Sequence, residues 1–81
     1  MSISKETILD TLYRHTREVL PELETHAFKD GDSLRDLGAN SVDRADIIMM
    51  TLESLSLRIP MVDLARAENI HAMAEIIHAK S

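Results

Sequence analysis

Apolar residues recur at helical spacing in three long stretches of the chain. The first stretch lies between Ser4 and Pro21 and consists of Ile8, Leu9, Leu12, Val19 and Leu20. Their spacings place them on one face of a helix. Ser4 is a good N-terminal capping residue, and Pro21 cannot continue a helix. The pattern therefore predicts a first helix that begins at Ser4 and ends at Pro21.

A second helix is predicted from Asn40 or Ser41, both good capping residues, to about Ser56. Its core stripe is Ala45, Ile48, Leu52 and Leu55. Four consecutive apolar residues at 47–50 cover most of the helix circumference, so this helix is either central or exposes apolar surface. The opposite side carries Val42, Asp46, Met49 and Glu53. This mixture of apolar and acidic groups suits contact with another protein.

The remaining segments predict a long loop and two further helices. Pro60 can open a short helix to about Ala65, and Asn69 caps a last helix whose buried face is Ile70, Met73, Ile76 and Ile77. The connection at 21–40 is irregular, with Phe28, Leu34 and Leu37 spaced to return to the core. Loops longer than about 12–15 residues are usually functional. We expect an all-α bundle of three main helices and one short helix, with a long first loop, forming a single domain at 1–81.

Composition narrows the classes of function. The chain has 81 residues, no cysteine and only two aromatic residues, which leaves no room for a multidomain enzyme, a disulfide scaffold or a thiolate zinc site. We expect no deep substrate cavity in so small a core. No apolar run approaches the ~20 residues that span a bilayer, and the N-terminus lacks the apolar segment of a signal peptide. These features predict a cytoplasmic protein that does not bind membranes.

The acidic charge is concentrated in the middle of the chain. Fourteen acidic residues outnumber nine basic ones, and the whole excess lies at 21–56. Such a charge repels nucleic acid and favours partners with basic surfaces. His71 and His78 share a helix face but lack supporting ligands, and the segment 30–33 lacks the ligands of a calcium loop. We therefore expect no metal site.

Ser41 is the main candidate for chemistry. On propensity alone it is a helix cap, and its surroundings, GANSV, are not the G-x-S-x-G elbow of a serine hydrolase. A serine at a helix N-terminus has a further use. A phosphate attached to its oxygen would lie against free backbone N–H groups and the positive end of the helix dipole.

The segment DLGANSVDRADI at 36–47 resembles the attachment motif of acyl carrier proteins, and the order of helices matches that family over nearly all of the chain. The resemblance implies that Ser41 carries 4′-phosphopantetheine, whose thiol holds acyl groups as thioesters. It also implies that the chain itself is not an enzyme. Partner enzymes, beginning with a phosphopantetheinyl transferase, perform the chemistry on the acyl group.

The motif has Asn40-Ser41-Val42 where Asp-Ser-Leu is usual, and Arg44 follows. This variant resembles the free-standing carriers of polyketide β-branching cassettes. The resemblance implies a donor of acetyl units, which we expect to be a monomer. Because the usual acidic residue before the serine is replaced by Asn40, we expect a transferase of broad specificity to modify it. An acyltransferase loads malonyl, a ketosynthase-like decarboxylase converts it to acetyl, and an HMG-CoA-synthase-like enzyme takes the acetyl group.

We expect the synthase to dock on Val42, Arg44, Asp46, Met49 and Glu53, with Arg44 as a mark of specificity. Without the resemblance, Arg44 would pair only with Asp43 or solvent. Three alternatives remain at this point. The chain is a carrier of other polyketide or fatty acyl units, a carrier of aminoacyl units, or an unmodified helical adaptor that binds proteins through its acidic 42–53 face.

Overall fold

The computed structural model describes residues 3–81, and these form four α-helices and no strand. The helices are α1 (Lys5–Val19), α2 (Ser41–Ser54), α3 (Met61–Ala65) and α4 (Ile70–Lys80). A short 3₁₀-helix at Pro21–Leu23 opens the long connection between α1 and α2. α1 packs against both α2 and α4, and α3 bridges α2 and α4 at one end. The prediction of an all-α bundle with a long first loop is confirmed.

The sequence signals at the ends of α1 act as predicted. The Ser4 hydroxyl accepts a hydrogen bond from the backbone N–H of Thr7 at 3.2 Å. At the other end, the N–H of Leu20 donates to the Thr16 carbonyl at 2.8 Å, and Pro21 starts the 3₁₀-helix. The cap and the proline therefore fix both ends of α1 from local chemistry alone.

The N-terminus of α2 is closed by a reciprocal pair of hydrogen bonds. The Asn40 side chain accepts from the N–H of Asp43 at 2.8 Å, and the Asp43 carboxylate accepts from the N–H of Asn40 at 3.3 Å. This capping box satisfies two backbone donors and identifies Asn40 as the cap. The interpretation of Ser41 as a capping residue is therefore wrong. Ser41 is the first residue of the helix, and its hydroxyl does not cap it.

α2 ends at Ser54, two residues before the predicted end near Ser56. Ser56 has a φ of 55°, a left-handed conformation. The N–H groups of Ser56 and Leu57 donate to the carbonyls of Glu53 and Leu52 at 3.1 and 2.9 Å. This is the hydrogen-bond pattern of a Schellman motif, in which glycine is the usual left-handed residue. A serine in that place gave no sequence signal for the end of the helix.

The core is aliphatic and includes residues from all four helices and the loop. It also buries more polar groups than the apolar pattern predicts, because the hydroxyls of Thr11, Thr16 and Thr51 each donate to the carbonyl four residues earlier. Seven residues predicted as core are only half-buried, namely Leu9, Val19, Phe28, Leu37, Ala45, Leu55 and Ile76. Ile47 and Ala74 are buried instead, so the buried stripes of α2 and α4 are shifted slightly around each helix.

His15 links α1 to the end of α2. Its ring nitrogens lie 2.6 Å from a Glu18 carboxylate oxygen and 2.7 Å from the Ser54 hydroxyl. The grouping has the composition of a hydrolase triad, but Ser54 is the last residue of α2, where carbonyl oxygens rather than N–H groups are free. An oxyanion would be repelled there. The three residues therefore act as a polar clamp between the two helices.

The long loop is anchored to α1 by its aromatic residue. The Phe28 ring stacks on the Tyr13 ring with centroids 4.3 Å apart, and the Arg17 guanidinium lies 4.8 Å from the Phe28 centroid. Asp32 accepts from the N–H of Lys29 and lies 2.9 Å from His26 Nε2. These hydrogen bonds lower the pKa of the Asp32 carboxyl below its usual value. The loop is therefore an ordered segment, as the spacing of its apolar residues predicts.

We predict that Gly38→Ala destabilises the protein and that Gly31→Ala does not. Gly38 has a φ of +105°, whereas Gly31 does not lie in the left-handed region, and neither site would place a Cβ within 4 Å of another atom. The cost of Gly38→Ala is therefore conformational, roughly 1–3 kcal/mol. Gly31→Ala should leave stability unchanged or raise it by up to about 1 kcal/mol. Urea unfolding of both variants measures the difference, and equal stabilities would contradict it.

Asn40→Ala should lower the free energy of unfolding by about 0.5–2 kcal/mol, because it removes the cap of α2. Asn40→Asp should retain most of the stability, since a carboxylate oxygen can accept the same hydrogen bond from Asp43. Thermal or urea unfolding of the two variants provides the measurement. A loss from Asn40→Asp as large as that from Asn40→Ala would show that the cap is not the stabilising contact.

Candidate functional site

Ser41 is an exposed residue at the junction of the long loop and α2. Three backbone hydrogen bonds fold the chain just before it, with the N–H groups of Leu37, Gly38 and Ala39 donating to the carbonyls of Ser33, Arg35 and Leu34. Ala39 is buried, so the chain is held in the core two residues before the serine. The Ser41 hydroxyl thus projects from a fixed backbone.

A surface cleft of about 720 Å³ opens beside Ser41. Its apolar lining includes Leu34 from the loop, Ile48 from α2, Leu64 from α3 and Met73 from α4. The sequence predicted no deep substrate cavity and gave no sign of this open cleft. It arises where α3, only five residues long, bridges the ends of α2 and α4. Ser41 and Arg44 both lie on the wall of this cleft, which we call the Ser41 cleft.

Arg44 is turned back toward the start of its own helix. Its Nη1 donates to the Ala39 carbonyl at 2.9 Å, and its Nη2 lies 3.4 Å from the Ser41 hydroxyl. The expectation that, without a family role, Arg44 pairs only with Asp43 or solvent is therefore wrong. A spacing of three residues on a helix makes two side chains neighbours, and this signal could have identified the contact with Ser41.

The other residues predicted to meet a partner are exposed together. Asp46 and Glu53 face solvent, and Val42 and Met49 are 68% and 48% exposed. The sequence left two options open for α2, a central position or exposed apolar surface, and these two side chains favour the second. Val62 of α3 is a further exposed apolar residue, at 62%, and it lines the Ser41 cleft. Val62 could not be identified from the sequence, because a helix of five residues has no periodicity that distinguishes its faces.

These features fit a phosphodiester at Ser41. The serine oxygen is exposed, the first-turn N–H groups of α2 have no carbonyl partner within the helix, and a guanidinium lies alongside. The cleft provides space next to the attachment point. A 4′-phosphopantetheine arm would supply a flexible thiol, on which acyl groups are carried as thioesters.

Residues 3–81 hold neither a metal-ligand cluster nor a membrane-spanning helix. No cluster of three or more histidine and acidic side chains is arranged to hold a metal ion there. His71 lies 3.3 Å from the Asp30 carboxylate, whereas His78 is exposed. No helix in the same part of the chain is long and apolar enough to cross a membrane.

Three comparisons with known proteins agree with one another. The family model described as "Phosphopantetheine attachment site" matches residues 10–77. The polyketide biosynthesis acyl-carrier-protein AcpK of Bacillus subtilis (strain 168) is 47% identical over 78 residues, which cover 96% of this chain and 95% of AcpK.

A solved structure is similar over the same length. It is a chain of the crystal structure of the curacin biosynthetic pathway HMG synthase in complex with acetyl donor-ACP, with a TM-score of 0.91 and 49% identity. The alignment covers 96% of this chain and 100% of that one. Together with the fold and the exposed serine at the start of α2, these matches show that the protein belongs to the acyl carrier protein family and has a phosphopantetheine attachment domain.

Proposed function

We propose that Ser41 is the residue to which 4′-phosphopantetheine is attached. It is the exposed serine at the start of α2, next to first-turn N–H groups and the Ser41 cleft. The 81 residues act as a single carrier domain. The chain catalyses no reaction itself. It presents the acyl thioester to partner enzymes in the cytoplasm.

The cargo we propose is the acetyl group of polyketide β-branching. The observation that carries this proposal is the likeness, over 96% of the chain, to a chain of the complex between HMG synthase and acetyl donor-ACP. Because the whole of the matched chain aligns with these 81 residues, the likeness is to the small carrier component of that complex. The 47% identity to a polyketide acyl-carrier-protein supports the same pathway class.

The partners follow from this role. A phosphopantetheinyl transferase adds the arm, an acyltransferase loads malonyl, and a ketosynthase-like decarboxylase converts malonyl to acetyl. An HMG-CoA-synthase-like enzyme then accepts the acetyl group. The carrier acts as a monomer with all of them. General polyketide, fatty acyl or aminoacyl carriage remain alternatives, and the acyl group that the loaded protein transfers distinguishes them.

The docking surface for the synthase is the exposed side of α2. It is formed by Val42, Asp46, Met49 and Glu53, with Arg44 at its edge. Two apolar side chains supply buried area on docking, and two carboxylates steer a basic partner. The side chains alternate along the helix at spacings of four, three and four residues, so one enzyme face can meet them all. Val62 of α3 is a further exposed apolar residue and lines the Ser41 cleft together with Arg44.

We expect wild-type protein to gain one phosphopantetheine when it is co-expressed with a broad-specificity transferase, and Ser41→Ala to gain none. Intact-mass spectrometry measures the modification. Ser81→Ala is the matched control, because Ser81 is also exposed but lies at the end of α4. A Ser41→Ala protein that is modified as fully as wild type would refute the site. A wild-type protein that is never modified would favour the unmodified adaptor.

Charge reversal at Asp46 or Glu53 should slow acetyl transfer from the loaded carrier to an HMG-CoA-synthase-like enzyme by about 1.4-fold to fivefold. An exposed ion pair contributes roughly 0.2–1 kcal/mol, which corresponds to this range. Transfer should also weaken with added salt, since the Debye length is about 10 Å at 0.1 M. The readout is the rate at which the active-site cysteine of the synthase becomes acetylated.

The control for charge reversal is Asp10→Lys, which makes the same change in net charge on an exposed position of α1. Far-UV circular dichroism should show equal helicity in all variants. If Asp46→Lys and Glu53→Lys transfer acetyl as fast as Asp10→Lys at every salt concentration, the docking surface lies elsewhere. The donor role is wrong if the carrier never donates acetyl and instead, when loaded with a β-ketoacyl group, acts as the acceptor in the condensation.

A further inference from the structure

The guanidinium of Arg44 is held at one end of α2, against the residue that we propose to be modified. One nitrogen donates to the Ala39 carbonyl at 2.9 Å, and the other lies 3.4 Å from the Ser41 hydroxyl. Arg44 is the only basic residue in α2. The one cation of the helix is therefore next to the oxygen on which a phosphodiester would be built.

The two contacts of this side chain are unequal. The bond to Ala39 is an ordinary hydrogen bond and involves a residue buried in the core, so it orients the guanidinium. The distance to the serine hydroxyl exceeds the usual range of a strong hydrogen bond. The planar guanidinium of Arg44 has five N–H donors. It is therefore held in one orientation, while its contact with the serine hydroxyl is weak.

We propose that Arg44 binds the phosphodiester of the arm at Ser41 and thereby sets the direction in which the arm leaves the protein. This inference rests on the proposed attachment at Ser41. The non-bridging oxygens of a phosphodiester are bonded to phosphorus and are therefore two bonds away from the serine oxygen. They can therefore approach Nη2 to the distance of a charge-assisted hydrogen bond, about 2.7–2.9 Å.

The local charges explain why a cation matters at this position. The arm adds a negative charge at a helix start that already carries the Asp43 carboxylate, and Asp36 lines the same cleft. The N–H of Asp43 is already used by the Asn40 side chain, so the capping box takes one donor away from the phosphate. The N–H groups of the first turn and Arg44 remain to balance the added charge.

The proposed contact between Arg44 and the phosphate also determines the path on which the arm starts. Ser41 and Arg44 both line the Ser41 cleft, whereas Val42 and Met49 are exposed apolar residues of the docking surface. A phosphate held between Ser41 and Arg44 starts the arm along the wall of the cleft. Arg44 therefore acts on the arm before any enzyme binds, in addition to its place at the edge of the docking surface.

The test compares unmodified (apo) and modified (holo) forms of four proteins without any partner enzyme. They are wild type, Arg44→Gln, Arg44→Lys and Arg35→Gln. Arg35 is the matched control, because it also lines the cleft and its loss changes the charge equally. Urea unfolding gives the ratio of folding equilibrium constants, holo over apo, for each protein. Loss of the Ala39 hydrogen bond affects both forms of Arg44→Gln and cancels in this ratio.

We expect Arg44→Gln to lower the holo-to-apo ratio about threefold to tenfold relative to wild type, the size of one partly exposed charge-assisted hydrogen bond. Arg35→Gln should leave the ratio close to that of wild type, and Arg44→Lys should restore part of the loss. The phosphorus resonance of the holo protein should shift in Arg44→Gln and not in Arg35→Gln. Added salt should reduce the wild-type ratio toward that of Arg44→Gln.

One measurement requires only the wild-type protein, so no variant has to be converted to the holo form. In wild type, the side-chain Nε–H resonance of Arg44 should move on modification, while that of Arg35 should not. Equal ratios for Arg44→Gln and Arg35→Gln, or an Arg44 resonance unmoved by the arm, would overturn the inference and leave the carrier function intact. Modification that persists in Ser41→Ala would instead overturn the proposed attachment itself.

Discussion

The packing of α1 against both α2 and α4 is the interaction on which the rest of the structure depends. Ile8 and Leu12 are fully buried on α1, and Thr16 joins them because its hydroxyl donates to the Leu12 carbonyl. With no disulfide and few aromatic residues, aliphatic burial must provide most of the stability, at about 25 cal/mol per Å² of apolar surface. The hydrogen bond between His15 and Ser54 also orients the two helices, because it connects α1 to the last residue of α2.

The position of Ser41 follows from that packing through the long loop. The Tyr13–Phe28 stack attaches the loop to α1, and the N–H of Ile70 donates to the Asp32 carbonyl at 3.0 Å, which attaches it to α4. Leu34 and Ala39 then return the chain to the core. A loop anchored at these points brings its last residues to a fixed place, so the start of α2 is rigid although its first side chain is exposed. Attachment of a flexible arm needs this combination of a fixed base and an accessible oxygen.

The sequence predicted the helices well because their signals are local. Ser4, Pro21 and Asn69 act within one turn of their own positions, and no distant contact is needed to interpret them. The apolar pattern was less exact for burial, since Thr16 and Thr51 are fully buried once their hydroxyls bond to the backbone. The choice between Asn40 and Ser41 as the cap could not be made from propensity, because both residues cap helices well. The reciprocal bond from Asp43 decides it.

In the candidate site, too, some features are set by residues adjacent in sequence and others by contacts between distant helices. The motif around Ser41 was recognisable from residues adjacent in sequence, whereas the Ser41 cleft depends on how α3 meets α2 and α4 and has no signature in the chain. The division also has a functional meaning. A carrier must keep one geometry at the base of its arm while several enzymes bind its exposed side in turn. Local hydrogen bonds, such as those of the capping box and the Arg44 contact to Ala39, hold the start of α2 within the chain itself. The side chains of Val42, Asp46, Met49 and Glu53 make no such contacts among residues 3–81. In the function that we propose they meet each partner, so attachment and recognition would use different side chains of a single short helix.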